Sequence, residues 1–212
     1  MKKRMQLTLL LVLSLALLIL AGCDKDGDLK IINRTDYNVY AGVSGSLYTI
    51  PADSTLKLHI TTGRQTPFDS NVGKYVEVFL EGETYQIWDA YEETYIPSTE
   101  VWVNAGKTTS IYLDPNRASV KVVNQSGQYI KRILVQRNTT YYTTTQTYEF
   151  PDLLPPGGVW HKQQNPATPQ AMYYYLVQIV FENDTILTYG DTQNILYKGD
   201  QFLVTVLPPD KQ

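Results

Sequence analysis

One short segment occurs twice. Leu29-Lys30-Ile31-Ile32-Asn33-Arg34-Thr35 and Val120-Lys121-Val122-Val123-Asn124-Gln125-Ser126 are identical or similar at every position except Arg34/Gln125, at a spacing of 91 residues. Three further pairs follow in the same order. Ile50-Pro51 corresponds to Leu154-Pro155, Val76–Thr84 to Val177–Thr185, and Gly106–Pro115 to Gly199–Pro208. Any one match between strand-like segments is weak. Four in order argue that a single unit has been duplicated, which constrains the fold more than any other feature. Each copy is roughly 90 residues, the size of a seven-stranded sandwich.

Strand signals fill both copies. Leu56, Leu58 and Ile60 alternate with Lys57 and His59; Val76, Val78 and Leu80 with Glu77, Phe79 and Glu81; Ile111 and Leu113 flank Tyr112; Tyr175, Val177, Ile179 and Phe181 alternate with Leu176, Gln178 and Val180. A period of two turns one face inward and the other outward. Turn-forming clusters separate these runs at 33–36, 51–53, 81–83, 104–106, 183–184 and 198–200. The chain has 17 tyrosines against 5 phenylalanines, and tyrosine suits a half-buried strand because its ring packs while its hydroxyl reaches water. The expectation is an all-β chain of two tandem antiparallel β-sandwiches, immunoglobulin-like or transthyretin-like. Module 1 spans 29–114 and module 2 spans 118–209, joined by Asp114-Pro115-Asn116-Arg117; one larger sandwich or barrel is the alternative.

The first 23 residues carry an address. Lys2, Lys3 and Arg4 precede an apolar run from Leu7 to Leu20 of about 14 residues, within signal-peptide length and short of the ~20 residues a spanning helix needs. Leu20-Ala21-Gly22-Cys23 follows. This resembles the lipobox of bacterial lipoproteins at all four positions. The resemblance implies cleavage after residue 22, diacylglyceryl transfer to the Cys23 thiol and, often, a third acyl chain on the new amine. Two or more chains anchor stably, at about 0.8 kcal/mol per buried methylene. Cys23 is the only cysteine, so no internal disulfide forms. Asp24-Lys25-Asp26-Gly27-Asp28 reads as a solvated tether over 23–28. Acids just after the lipidated residue also resemble sorting signals, which retain a protein in the inner membrane in some lineages and send it to the outer surface in others. The location expected is the envelope, in the outer membrane, facing periplasm or cell surface.

Charge and motif content exclude several functions. Cleavage removes three positive charges and no acid, so the net charge of −3 becomes about −6. No basic patch is present for nucleic acid. The 24–28 segment fails as a calcium loop, since its glycine comes one place early and Thr35 stands where a bidentate acid is needed. His59 is placed on the polar face of a strand and His161 in a loop; two separated histidines without a free cysteine do not make a zinc site. Ser44-Gly45-Ser46 is not a nucleophile elbow. Asp89, Glu92 and Glu93 read as a solvated acidic loop rather than a glycosidase pair. Asn33, Asn138 and Asn183 begin glycosylation-like triplets that read as turn chemistry. No catalytic residue, metal or cofactor is expected beyond the covalent lipid on Cys23.

What remains are candidate contact surfaces. Trp88, Tyr91, Tyr95 and Trp102 offer flat apolar faces for a sugar ring or a protein partner. Tyr141, Tyr142 and Tyr148 lie in a hydroxyl-rich hairpin, uncharged from Asn138 through Tyr148, suited to adaptable binding or to strand addition. In Met172-Tyr173-Tyr174-Tyr175 at least one ring is expected in the core. The sequence therefore predicts a membrane-anchored, non-enzymatic binding or scaffold lipoprotein with a protein or glycan partner, or a subunit of an envelope assembly built by strand-edge pairing.

Overall fold

The computed structural model describes residues 23–65 and 72–208; the signal segment 1–22, which includes lipobox positions Leu20, Ala21 and Gly22, and the last residue of the expected second module, Pro209, lie outside them. No helix occurs among the described residues. The strands are β1 (Cys23–Asn33), β2 (Val39–Val43), β3 (Ser46–Ile50), β4 (Thr55–Gln65), β5 (Gly73–Gly82), β6 (Ile87–Asp89), β7 (Thr94–Ile96), β8 (Ser98–Asn104) and β9 (Thr108–Leu113), then β10 (Ala118–Asn124), β11 (Ile130–Asn138), β12 (Thr143–Leu154), β13 (Val159–Gln164), β14 (Tyr174–Phe181), β15 (Ile186–Tyr189) and β16 (Gln201–Val206).

The two halves share one topology. Sheet order is β4-β1-β9 and β3-β2-β5-β8 in the first, β13-β10-β16 and β12-β11-β14-β15 in the second. Among the described residues, the first half adds the small inserted β6-β7 hairpin to this topology. In each, the first strand pairs antiparallel with the fourth and parallel with the last. An immunoglobulin constant domain instead groups its first strand with the second, fourth and fifth, a different grouping from the one seen in both halves. Each half has its own buried cluster drawn from both its sheets. Leu29, Ile31 and Leu113 meet Val39, Ala41, Val78 and Leu80 in the first half, and Val120, Val122 and Val206 meet Ile133, Val177 and Ile179 in the second. Each such aliphatic side chain contributes about 1.5–3 kcal/mol on burial.

Three expectations are corrected. The acidic stretch 23–28 is not a tether: it is the first half of β1, paired with β4 from Cys23↔Gln65 onward. Gly27 and Leu29 are buried while Asp26 is exposed and Asp28 half-buried, so the strand's alternation runs through the acids. A side chain at Gly27 would lie 2.4 Å from the Asn104 carbonyl, which is why glycine stands there. The Asp28 carboxylate accepts from Lys57 Nζ at 2.8 Å and His59 Nδ1 at 2.6 Å. The lysine hydrogen bond holds its pKa below the ordinary value against a smaller opposing effect of desolvation. His161 lies in strand β13, not in a loop. Finally, the match of Val76–Thr84 to Val177–Thr185 is two residues out of register. Glu83 N donates to Asn38 O and Glu182 N to Tyr129 O, so Glu83 and Glu182 are the equivalent pair. A slide of two keeps every side chain on its own face, which hides it from pattern matching.

The repeated segment encodes one buried network, built twice. Asn33 Nδ2 donates to the carbonyls of Tyr37, Ile50 and Pro51 at 2.8, 3.0 and 2.9 Å. Asn124 Nδ2 donates to Gln128, Leu154 and Pro155 at 2.8, 3.1 and 3.0 Å. Each Oδ1 accepts from the hydroxyl and backbone N–H two residues on, of Thr35 or of Ser126. Both asparagines are fully buried. Each amide thus ties the end of the first strand to the chain entering the second and to the turn leaving the third. The Ile50-Pro51 and Leu154-Pro155 correspondence has its cause here.

The halves meet through a polar junction. Glu83, 3 % exposed in its side chain, accepts from Lys121 Nζ at 2.9 Å and from Gln201 Nε2 at 2.5 Å. Gln163 Nε2 donates to Gly82 O at 2.6 Å and Glu81 Oε1 at 3.2 Å. Thr84 O accepts the backbone N–H of Asn116 and Arg117, and Asn116's amide bonds both N–H and C=O of Gln86. His161 stacks with Tyr40 at 6.1 Å.

Three outcomes follow. Asn124→Ala strands several buried carbonyls at about 1–3 kcal/mol each, so its denaturation free energy should drop by about 3 kcal/mol or more. Lys121→Met leaves the Glu83 charge buried alone and should cost about 3 kcal/mol, much of it recovered in the Lys121→Met/Glu83→Met double variant. Burial holds the His161 pKa below 6.5, outweighing the attraction of Glu83 and Glu81. The unfolded chain therefore takes up a proton that the folded chain refuses. Stability should be full above pH 6.5 and fall as pH drops below it, and that part of the slope should vanish in His161→Gln.

Candidate functional site

The two aromatic groups expected from the sequence are rearranged in space. In the inserted hairpin, Asp89 Oδ1 accepts from the backbone N–H of Tyr91 and Glu92 at 2.9 and 3.2 Å, and Glu93 takes a left-handed φ of 49°. The acid caps its own turn and throws Tyr91, 91 % exposed, out at the tip. Trp88 packs edge-on against Tyr95 at 4.9 Å. The Arg117 guanidinium also lies over Tyr95, 4.4 Å from its ring centre; Tyr95 is a junction residue. Trp102 stands apart from these rings. It is on β8, tilted against Tyr75 of β5 at 4.7 Å, with Nε1–H donated to Asn104 Oδ1 at 3.0 Å. Four rings do not form one shelf.

In the second half Tyr141 and Tyr142 share the β11–β12 turn. The Thr139 hydroxyl accepts from both their backbone N–H groups and donates to Tyr142 O, which sets the turn and leaves Tyr141 94 % and Tyr142 57 % exposed. Tyr148 does not join them. It packs on Trp160 at 4.8 Å, beside the core, with its hydroxyl donated to Gln146 Oε1; burial raises its pKa.

Beside this turn is an open groove of about 380 Å³, lined by Asn138, Thr139, Thr140, Met172, Tyr173, Tyr174 and Ile195. Tyr174 is placed there because it pairs with Asn138 across β11 and β14. Met172 and Tyr197 are half-exposed at its edge, with Tyr197 Oη 3.9 Å from the Met172 sulfur. The sequence expects at least one ring of Tyr173, Tyr174 and Tyr175 in the core. That holds for Tyr175 and Tyr173, both buried; their hydroxyls donate to the carbonyl of Asn165, and burial raises both pKa values. Ile195 and Tyr197 went unnoticed because they sit in an irregular segment with no periodic signal. A second shallow groove, of about 430 Å³, lies on the outer face of the first half. Gly42 and Gly45 leave it open beside Tyr75 and Phe79. Ser44-Gly45 is the β2–β3 hairpin turn, with φ of 51° and 80°.

No nucleophile, base and orienting acid converge in either groove, and among the described residues no three metal-ligating side chains come together. The glycosylation-like asparagines serve the fold: Asn33 in the buried network, Asn138 as acceptor for Thr143 Oγ1, and Asn183 as acceptor for Thr185 N.

No family model matches the chain, and no curated protein matches it. Solved structures resemble it only distantly. The Bacillus anthracis TIE protein aligns with 86 % of this chain at 9 % identity and a TM-score of 0.29, and the chain spans 33 % of that protein's length. A candidate cell adhesion protein from Bacteroides uniformis aligns over 86 % of this chain and 92 % of its own, at 8 % identity and a TM-score of 0.35. The tip fimbrial protein Mfa3 from Porphyromonas gingivalis aligns over 77 % and 80 %, at 9 % identity and a TM-score of 0.26. Likeness at this level carries nothing about activity.

Placement separates surface from packing residues. Tyr141→Ser and Tyr142→Ser should move stability by less than about 0.5 kcal/mol, whereas Tyr148→Ala should cost about 2 kcal/mol and change the fluorescence of Trp160.

Proposed function

We propose that this chain is an envelope lipoprotein of two β-sandwich domains, held to a membrane by acyl chains on Cys23, and that it binds a protein or glycan partner without catalysis. The domain division is the one read from the sequence, 29–114 and 118–209, with 23–28 now part of the first domain. The observation that carries the binding role is the groove beside the β11–β12 turn. Its side chains are tyrosine, methionine, isoleucine, threonine and asparagine, with no charge. Such surfaces combine large rigid contact area with adaptable hydrogen bonding. An uncharged lining that mixes two tyrosine rings with aliphatic, hydroxyl and amide side chains suits a sugar ring or an apolar protein segment better than an ion.

The β1 pairing gives the anchor a mechanical meaning. Because Cys23 itself pairs with Gln65 in the sheet, lipid on that residue would tie the first domain to the bilayer with no slack. β1 then rises by roughly 3.3 Å per residue to Asn33. The outward Tyr75–Trp102 pair lies at the end of β5 and β8 nearer the anchor, where Gly27 abuts Asn104. Tyrosine and tryptophan favour membrane–water interfaces, so this pair suits contact with the surface of the membrane that holds the anchor.

A second reading, subunit of a surface assembly, is favoured by β12. It is an edge strand twelve residues long whose first half, Thr143 to Tyr148, has no charge; the devices that blunt an edge, Glu149, Pro151, Asp152 and a register shift, are confined to its second half.

Crosslinking and pull-down from native envelope with the lipid intact tests the first reading. Capture of a defined partner should be lost in Tyr142→Ala and Met172→Ala, both of which should fold normally. Capture unchanged in both overturns the groove. Cys23→Ser should move the chain to the soluble fraction, and continued membrane partitioning contradicts the anchor. Concentration-dependent association abolished by Thr145→Lys supports the assembly reading, and a monomer at all concentrations dismisses it.

A further inference from the structure

The second sandwich has hydrogen-bond donors buried with nothing to donate to. Arg137 is near the end of β11, on the same face as the buried Ile133 and Val135, and opposite Tyr175 of β14. Gln164 ends β13 and is 4 % exposed. Arg117 enters from the linker. These three, with Thr144, Gln146 and Tyr175 among their neighbours, line one partly enclosed cavity of about 110 Å³ between the edges of the two sheets. Among the described residues, the Nε atoms of Arg117 and Arg137 are buried without a hydrogen-bond partner, and the Nε2 of Gln164 has only a marginal one, the Tyr148 hydroxyl.

The arginines do have other contacts. Arg117 Nη1 donates to Asn165 Oδ1 at 2.7 Å and its guanidinium lies over Tyr95; Arg137 lies 5.0 Å over the Tyr173 ring. A cation–π contact uses the flat face of the guanidinium, while its N–H groups point outward in the plane. The ring faces leave the Nε donors unanswered, although Arg137 also reaches the Tyr173 hydroxyl with a side-chain hydrogen bond. Neither arginine forms an ion pair among the described residues, whereas Arg132, whose Nε is also bare, has Glu149 at 3.6 Å. No carboxylate lines the cavity. Two partly buried cations and a poorly matched amide are costly, and one anion would answer all three. The volume is well below the ~300 Å³ of ordinary small-molecule pockets, so it admits one oxyanion group and no sugar ring.

We propose that this cavity binds a single small oxyanion, held by Arg117, Arg137 and Gln164. The site is separate from the groove and does not rest on the reading given for it. Its ligand is either a free tetrahedral ion or a carboxylate carried by a larger partner; the chemistry of capture is the same.

The test uses the full mature chain in detergent, titrated with inorganic phosphate, sulfate and acetate at constant ionic strength made up with chloride. The nitrogen–proton resonances of the Arg117 and Arg137 Nε groups are followed. A saturable shift with at least one anion is expected, with affinity at least about tenfold weaker in Arg137→Gln and in Gln164→Leu. Saturation by phosphate or sulfate but not acetate assigns a free tetrahedral ion; saturation by acetate assigns a carboxylate. No saturable shift in the folded wild type with any of the three overturns the proposal. So does unchanged affinity in the variants, with Gln164→Leu deciding if Arg137→Gln does not fold.

Discussion

A buried asparagine amide at the end of the first strand is the constraint on which each sandwich depends. An amide nitrogen has only two N–H bonds, yet Asn33 and Asn124 each lie within 3.1 Å of three main-chain carbonyls. Those carbonyls belong to the turn before the second strand and the turn after the third, so one side chain fixes how the chain crosses between sheets. The backbone on either side of each asparagine is bound too. Asn33 N donates to Ser54 O and Arg34 N to Leu113 O, matched by Asn124 N to Gly158 O and Gln125 N to Val206 O. Buried backbone carbonyls must find donors, and here a side chain supplies what no sheet ladder reaches. Aliphatic burial drives each half together; the amide network specifies which strand lies where.

The junction applies the same economy between halves. Its contacts are polar and centred on Glu83, whose carboxylate is enclosed by Lys121 and Gln201. The equivalent residue in the second half, Glu182, is exposed. Duplication thus left one turn to become a connector and the other to remain solvent-facing. The inserted β6-β7 hairpin strengthens the connection, because Tyr95 and the Gln86 backbone engage the linker residues Arg117 and Asn116. A linker so held transmits orientation from an anchored first half to the second.

The strand content and the duplication were plain in the sequence because both rest on period-two patterning and on the Asn33/Asn124 segment. Other features depend on register, which patterning does not reveal. A two-residue slide of Val76–Thr84 against its counterpart preserves every face. Asp24 to Asp28 looked like a tether because acids and glycine are depleted in strands; the clue was their alternation, with Asp26 and Asp28 continuing the outward series into Lys30. Partner choice among rings was equally hidden. Trp102 meets Tyr75, and Trp160 meets Tyr148, only once cross-strand pairing is known. Arg137 gave no warning as a strand residue, since nothing local says that it faces inward.

Native-state hydrogen exchange is the most direct test of the asparagine network. The amides of Thr35, Tyr37, Ser126 and Gln128 lie in turns, yet each donates into the network. They should exchange only through global unfolding, with the same opening free energy as Ile31 and Val122 in the central strands. Exchange of these four at the rate of the exposed 139–142 turn, while the central strands stay protected, would contradict the claim that the amides hold each sandwich together.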